Sequence, residues 1–227
     1  MYSRIVVLGK GGQLASEFEF LVKKNKDWKF LSVYDVDITN KINVLSYFKK
    51  NPCEIIINCA AYTNVDRAEN EKNESFLVNE LGVKNILAAC KKINAKLIHY
   101  STDFVFDGKS KVPYKEFDST YPLNIYGLSK LAGENTIIES SVNSIIIRTS
   151  WLYSSFGNNF VKTMIKLISI REEIGVVSDQ IGSPTFAQDL ALATIKIIEN
   201  QSYFWSVGDI FHYSNHGSCS WFEFAKE

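Results

Sequence analysis

Tyr126 and Lys130 stand four residues apart, downstream of Ser101-Thr102-Asp103. On a helix that spacing places both side chains on one face. Reducing a ketone with a nicotinamide hydride requires a proton donor at the carbonyl oxygen. A tyrosine can serve if its pKa, about 10 in water, is brought toward neutral. An ammonium on the same helix face would favour the phenolate and so lower that pKa. Amphipathic helices show this pair by chance, so its meaning depends on whether a dinucleotide site comes with it.

The stretch Gly9-Lys-Gly-Gly12-Gln-Leu-Ala15 follows a first apolar run and opens a helical pattern. Gly9 allows a tight turn, Gly12 lets a pyrophosphate approach the backbone, and Ala15 permits close packing of helix on strand. The helix N-terminus supplies N–H groups and a positive dipole end for phosphates. A glycine-rich turn with no ligand is the plain alternative, and the position after a first strand argues against it. An acid ending the second strand would bind the adenosine ribose hydroxyls. Ser32 or its neighbours take that place, with Asp35 and Asp37 following, and Asp37-Ile38-Thr39 could instead flank the adenine. An acid at the ribose would repel a 2′-phosphate, so its absence favours NADPH, with NADH left open. Asn58-Cys-Ala-Ala61-Tyr-Thr63 ends the third strand with small residues that would let a cofactor pass close to the backbone.

Short runs rich in Ile, Val and Leu at 4–8, 29–33, 54–58, 96–100 and 144–148 read as buried strands. Apolar residues at helical spacing fill 13–24, 42–50, 73–93 and 126–139 between them. The alternation predicts an α/β fold, a doubly wound, Rossmann-like parallel sheet covered on both faces, with its ligand at the carboxyl ends of the strands. Residues 1–150 form the dinucleotide-binding domain in this reading. Residues 151–227 are expected to contribute a small C-terminal substrate lobe and a helix returning to the first domain. Within them, helices are expected at 159–171 and 186–199, a short strand at 175–177, and a capped helix from 220 onward. The polar, proline-bearing stretch 109–123 reads as a surface loop near the site mouth.

With 25 basic and 25 acidic side chains the net charge is zero, which gives no global field for nucleic acid or an anionic membrane. An anion must therefore be held by a local device. No apolar run approaches the roughly 20 residues needed to span a bilayer, and Met1-Tyr2-Ser3-Arg4 lacks the layout of a signal peptide. Four scattered cysteines and three isolated histidines point to reduced thiols, a cytoplasmic protein and no metal site.

Taken together, these segments resemble the extended short-chain dehydrogenase/reductases. The stretches that carry the resemblance are 9–15, 37–40, 58–71, 78–85, 101–108, 122–134, 148–160 and 179–185, spread over nearly the whole chain. Ser-Thr-Asp-Phe-Val-Phe-Asp-Gly at 101–108 and Arg-Thr-Ser-Trp-Leu-Tyr at 148–153 are the most specific. They point to the branch that reduces nucleotide-linked 4-keto-6-deoxy sugars, with dTDP-4-dehydro-beta-L-rhamnose reduced to dTDP-L-rhamnose for cell-surface polysaccharide as the foremost implied reaction. The resemblance implies that Tyr126 protonates the sugar 4-oxygen, Lys130 lowers its pKa and holds the nicotinamide ribose, and Thr102 hydrogen-bonds the carbonyl oxygen. Asp103 and Trp151 would face the sugar nucleotide. Gly9, Gly12, Gln13 and Leu14 would wrap the pyrophosphate, with Asp37, Ile38, Ala61, Tyr62, Thr63 and Tyr100 lining the rest of the cofactor groove.

Thr102 and Asp103 could equally cap a turn, and Trp151 could be core at the sheet end. Asn79 reads as a backbone-bracing or water-holding residue rather than a catalyst, and Glu17 as a surface helix charge, although some relatives bind a metal there at a dimer contact. The partner implied is a small nucleotide sugar, with a homodimer left open. Members of the family continue some tens of residues past the position of Glu227, so the expectation is a truncated substrate lobe. Two other readings stay open, a binding or regulatory subunit on the same scaffold and a reductase of a different nucleotide sugar.

Overall fold

The computed structural model describes residues 4–23, 25–200 and 205–227. Two sequence expectations, the N-terminal residues 1–3 and the end of the first helix at Lys24, lie outside the described residues. The first half of the chain alternates β1 (Ile5–Leu8), α1 (Gln13–Val22), β2 (Trp28–Leu31), α2 (Lys41–Lys50) and β3 (Ile55–Asn58). Then come α3 (Val65–Ala68), α4 (Lys72–Phe76), α5 (Gly82–Ile93), β4 (Lys96–Thr102), α6 (Ile125–Ile138) and β5 (Ser144–Thr149). The remainder holds β6 (Leu152–Tyr153), α7 (Phe160–Ile168), β7 (Ile181–Gly182), β8 (Thr185–Phe186), α8 (Ala187–Glu199), β9 (Asp209–Tyr213), β10 (Cys219–Ser220) and α9 (Trp221–Lys226).

Six strands form a parallel sheet in the order β2-β1-β3-β4-β5-β9. The chain leaves β1 toward β2 on one side and resumes at β3 on the other, which opens a crevice at the carboxyl ends of β1 and β3. β1, β3, β4 and β5 are buried along nearly their whole length because helices cover both faces. On one face Val6, Leu8 and Ile56 meet Val44, Phe48, Val83 and Ile86. On the other, Ile5, Val7 and Ile57 meet Ala15, Phe18, Leu190 and Ala191. The doubly wound sheet expected from the sequence is therefore what forms.

Two local expectations are corrected. Residues 175–177 form no strand. The sixth strand is instead β9, which pairs with β5 from Ile145↔Asp209 to Thr149↔Tyr213. Its sequence, Asp-Ile-Phe-His-Tyr, is half-exposed at the sheet edge and lacks the run of buried aliphatics found in β1, β3 and β5. The stretch 73–93 is not one regular helix, because a π-turn at Leu77–Leu81 separates α4 from α5. Such turns cluster at functional positions, and this one carries Asn79.

Of residues 151–227, α8 packs on the first domain beside α1 and β9 completes its sheet. The rest forms the helix α7, two small ladders, β6 with β8 and β10 with β7, and the capped helix α9. Ser220 and Glu223 close a capping box at α9, with Ser220 N–H donating to Glu223 at 2.7 Å and Glu223 N–H to Ser220 Oγ at 3.1 Å. A six-residue helix has little stability alone. Here Trp221 stacks on Trp151 at 3.5 Å between ring centroids, and Phe224 packs on Tyr153 and Phe160.

Candidate active site

Of the catalytic candidates Thr102 ends β4, while Tyr126 and Lys130 stand on α6, whose start is fixed by Asn124 Oδ1 accepting from Gly127 N–H at 2.7 Å. Tyr126, Lys130 and Glu134 follow at successive intervals of four, on one face. Two glycines let this helix press on its neighbours. A methyl group on Gly127 would overlap the Phe104 carbonyl, and one on Gly133 the Asn79 carbonyl. Gly127→Ala should therefore push α6 away from the turn that follows β4. The expected result is a stability loss of about 1–3 kcal/mol in a thermal melt, with turnover reduced because Tyr126 moves with its helix. An unchanged melt and rate would show that the contact is not limiting.

Tyr126 is half-buried beside the turn at Asp103–Val105, its ring 5.6 Å from that of Phe104 in an edge contact. Burial raises the phenol to about 12, the Asp103 carboxylate pushes the same way, and the Thr102 hydroxyl opposes them by bonding to the oxygen. This corrects the expectation that Lys130 lowers the phenol. The Lys130 amine instead donates to the Tyr100 carbonyl at 2.6 Å and stands 3.4 Å from His99 Nε2. A shared helix face brought the two residues into register, but the long lysine stem carries its charge to β4. What the geometry does keep together is Thr102, Asp103 and Tyr126, with Thr102 Oγ1 donating to Asp103 at 3.1 Å.

Burial raises the Asp103 carboxyl to about 6 from 3.8, against hydrogen bonds from Thr102 and Phe104. Between those two values the folded chain holds a proton that the unfolded chain has released. Stability from this group therefore falls as pH rises from about 4 to 6 and stays lost above. Asp103→Asn should gain on the order of 2 kcal/mol at neutral pH and nothing below the lower value. An equal shift in melting temperature on both sides of that window would rule out the carboxylate as its source.

Lys130 is 2% exposed. Burial lowers its amine to about 8, while Glu134 and Cys59 act in the opposite direction. Glu134 is itself fully buried and held by Arg148, whose Nη2 donates to it at 2.7 Å and whose Nε donates at 3.0 and 3.2 Å.

The glycine turn meets the requirements of a phosphate cradle. Gly9 has φ +89°, and an added Cβ would lie 2.7 Å from Ala60 N, so turn and strand end approach as closely as backbones can. Gly11, which the sequence did not single out from its neighbours, has φ +91° with open space around it. Gly12 caps α1 with no side-chain partner at the helix end. Gln13 is tied to Asn159 at 3.0 Å, and the Leu14 side chain is core, so Leu14 can offer a ligand only its backbone.

At the far side of the groove, Asp37 Oδ1 accepts from both the N–H and the hydroxyl of Thr39, and Ile38 is buried against Gly82. Ser32 at the end of β2 donates twice to Asp35. Ala61 and Tyr62 are half-buried and Thr63 is exposed after β3. Tyr62 donates its hydroxyl to Glu71 at 2.6 Å. Asn79 behaves as the brace that its position suggested. It accepts from Tyr62 N–H at 2.9 Å, donates to Tyr62 O at 3.0 Å, and reaches Ser129 on α6 at 2.9 Å. Ser129 in turn donates to the Tyr126 carbonyl at 2.8 Å, which ties the groove to the catalytic helix.

Three expectations change on contact with the structure. The Tyr100 ring turns away from the groove into the core, where its hydroxyl bonds Thr194 at 2.8 Å, so only its carbonyl serves the site. Trp151 adopts φ +47°, with its indole stacked on Trp221 and abutted by Gly182, so most of its surface is engaged inside the protein. Glu17 is no surface charge. It is fully buried, accepting from Ser154 at 2.6 Å and Gln188 at 3.3 Å. Among the described residues no cluster of three His, Cys, Asp or Glu side chains could hold a metal ion, and no helix is long and apolar enough to cross a membrane.

A parallel sheet with a glycine turn at its switch point and Thr102, Tyr126 and Lys130 at its carboxyl edge has the arrangement of the extended short-chain dehydrogenase/reductases. The chain belongs to the family described as the RmlD substrate binding domain, which matches residues 3–227. Among similar proteins, a dTDP-4-dehydrorhamnose reductase of Aggregatibacter actinomycetemcomitans is 41% identical over 98% of this chain and 77% of its own length. A dTDP-4-keto-6-deoxy-D-glucose reductase of Streptomyces niveus is 34% identical over 100% of this chain and 77% of its own. A crystal structure of dTDP-4-dehydrorhamnose reductase from Bacillus anthracis in complex with NADP superposes with a TM-score of 0.92. It is 44% identical and is matched over 100% of this chain and 79% of its own.

Proposed function

We propose that this protein is an NADPH-dependent reductase of the 4-keto group of a dTDP-linked 6-deoxy sugar, converting dTDP-4-dehydro-beta-L-rhamnose to dTDP-L-rhamnose. The observation that carries the reading is the grouping of the Tyr126 phenol with the Thr102 hydroxyl at the carboxyl edge of the sheet, in a chain about 40% identical to reductases of that name. The N-terminus of α1, whose Gly12 cap brings no side chain, and the Gly9 contact with Ala60 fit a dinucleotide phosphate.

NADPH supplies the hydride, and NADH is the lesser alternative. Tyr126 delivers the proton to the sugar 4-oxygen. Its raised pKa keeps it protonated at neutral pH, so the proton is present when the oxygen gains negative charge. Thr102 donates a hydrogen bond to that same oxygen, a stabilisation that grows as charge develops. Lys130 would hold the nicotinamide ribose. The backbone of Gly9, Gly12, Gln13 and Leu14 would hold the pyrophosphate. Asp37, Ile38, Ala61, Tyr62, Thr63 and the Tyr100 carbonyl would line the remainder. Asp103 and the free edge of Trp151 would face the sugar nucleotide, with 151–227 supplying the substrate lobe. We take the protein to work in the cytoplasm on a small nucleotide sugar, without nucleic acid, with a homodimer compatible with the family.

The test is absorbance loss of reduced nicotinamide with dTDP-4-dehydrorhamnose, each cofactor offered in turn. The Streptomyces niveus relative favours a second reading, a different sugar ketone on the same scaffold, so dTDP-4-keto-6-deoxy-D-glucose belongs in the same assay. Oxidation of NADPH with neither sugar, despite its binding, would reject the reading in favour of a binding subunit.

A further inference from the structure

The proposed reaction makes no use of His99, although its imidazole is 1% exposed and its Nε2 lies 3.4 Å from the Lys130 amine. Asn58 fixes which nitrogen faces the lysine. Asn58 Oδ1 accepts from Ala60 N–H at 3.1 Å, which turns the amide nitrogen toward His99 Nδ1, also at 3.1 Å. Nδ1 is then an acceptor, and the neutral ring carries its proton on Nε2, beside Lys130. Burial and the neighbouring lysine hold His99 well below its usual range, so the ring stays neutral. An imidazole N–H meets an ammonium as donor against donor, but it meets a free amine as donor to lone pair.

The other groups facing the amine are few. The Tyr100 carbonyl on β4 accepts from it at 2.6 Å. Glu134, one turn along α6, favours the ammonium but is already paired with Arg148. Cys59, just past β3, adds a weaker pull in the same direction. Tyr126 lies one turn earlier on the same helix. Ala60, whose N–H orients Asn58, is also the residue on which Gly9 packs, so the backbone that sets the imidazole lies against the glycine turn.

We propose that His99 is a positioning residue for Lys130. Held by Asn58, its Nε2–H keeps the amine on the Tyr100 carbonyl and sets the balance between ammonium and free amine. The consequence for turnover rests on the reductase reading. The consequence for the side chains does not.

The test uses the full chain with 15N-labelled histidine and 13Cε-labelled lysine. In the unsubstituted protein His99 should appear as the neutral Nε2–H tautomer. Lys130, assigned by the signal lost in Lys130→Met, should titrate near 8. In His99→Gln an amide oxygen can accept from the ammonium. The Lys130 midpoint should then rise by about one pH unit, and the alkaline limb of kcat/KM should move with it. An Nδ1–H tautomer or a charged ring in the unsubstituted protein overturns the proposal, and so does a midpoint unmoved in His99→Gln. The first of these needs no variant to fold. If no keto sugar is reduced, the reductase reading fails while both spectroscopic readouts still decide the role of His99.

Discussion

Tyr126→Phe is expected to lower turnover by about 10²- to 10⁴-fold while NADPH binding survives. The change removes one oxygen from a half-buried ring and leaves the edge contact with Phe104 in place. The glycine turn and the α1 N-terminus are not touched, so cofactor affinity by fluorescence should stay within a few-fold. The loss should fall on kcat and on kcat/KM alike, because the proton is needed only as the carbonyl oxygen gains charge. Thr102 alone would remain to stabilise that oxygen, which accounts for residual activity. A variant that kept its rate would remove Tyr126 from the chemistry and leave Asp103, protonated below about 6, as the remaining candidate donor in the cluster.

Arg148→Met should cost about 3–5 kcal/mol of stability, because it leaves the Glu134 carboxylate buried without a counterion. The pair has side-chain exposures of 5% and 0%. Arg148 also donates to the Glu116 carbonyl at 3.3 Å and lies 5.1 Å from the Phe106 ring centre, so its loss should loosen the loop that borders the site. The double change Arg148→Met with Glu134→Leu should recover much of the loss, since it removes the stranded charge as well. Chemical denaturation of the three variants decides it. A cost below about 1 kcal/mol for the single change would mean that water reaches the carboxylate. The same variant carries a second expectation. An unpaired Glu134 acts more strongly on the lysine one turn away, so the alkaline limit of activity should move upward.

How far the fold could be read in advance depended on how local each signal was. β1, β3, β4 and β5 were legible as short buried runs rich in Ile, Val and Leu, the partly exposed β2 from Phe30 and Leu31, and the covering helices because their apolar residues recur at helical spacing. β9 was not legible, since a half-exposed edge strand with Asp and His carries neither pattern. The glycine turn was legible as chemistry, but only the backbone angles separate Gly9 and Gly11, which adopt positive φ, from Gly12, which caps the helix. His99 gave no signal, because a lone polar residue in an apolar strand looks the same whether it is idle or placed beside a lysine.

The sequence by itself determined the alternation of strand and helix, the glycine turn after the first strand, and the order of Thr102, Tyr126 and Lys130 along the chain. These follow from covalent neighbours, whose spacing translates directly into a shared face or a tight turn. Only the tertiary structure decided that the Lys130 amine binds the Tyr100 carbonyl, that Glu17 is buried against Ser154 from 137 residues away, and that Trp151 stacks on Trp221. Charge state and hydrogen-bond partner depend on what surrounds a group once water is excluded, and those surroundings exist only after distant segments have closed around it.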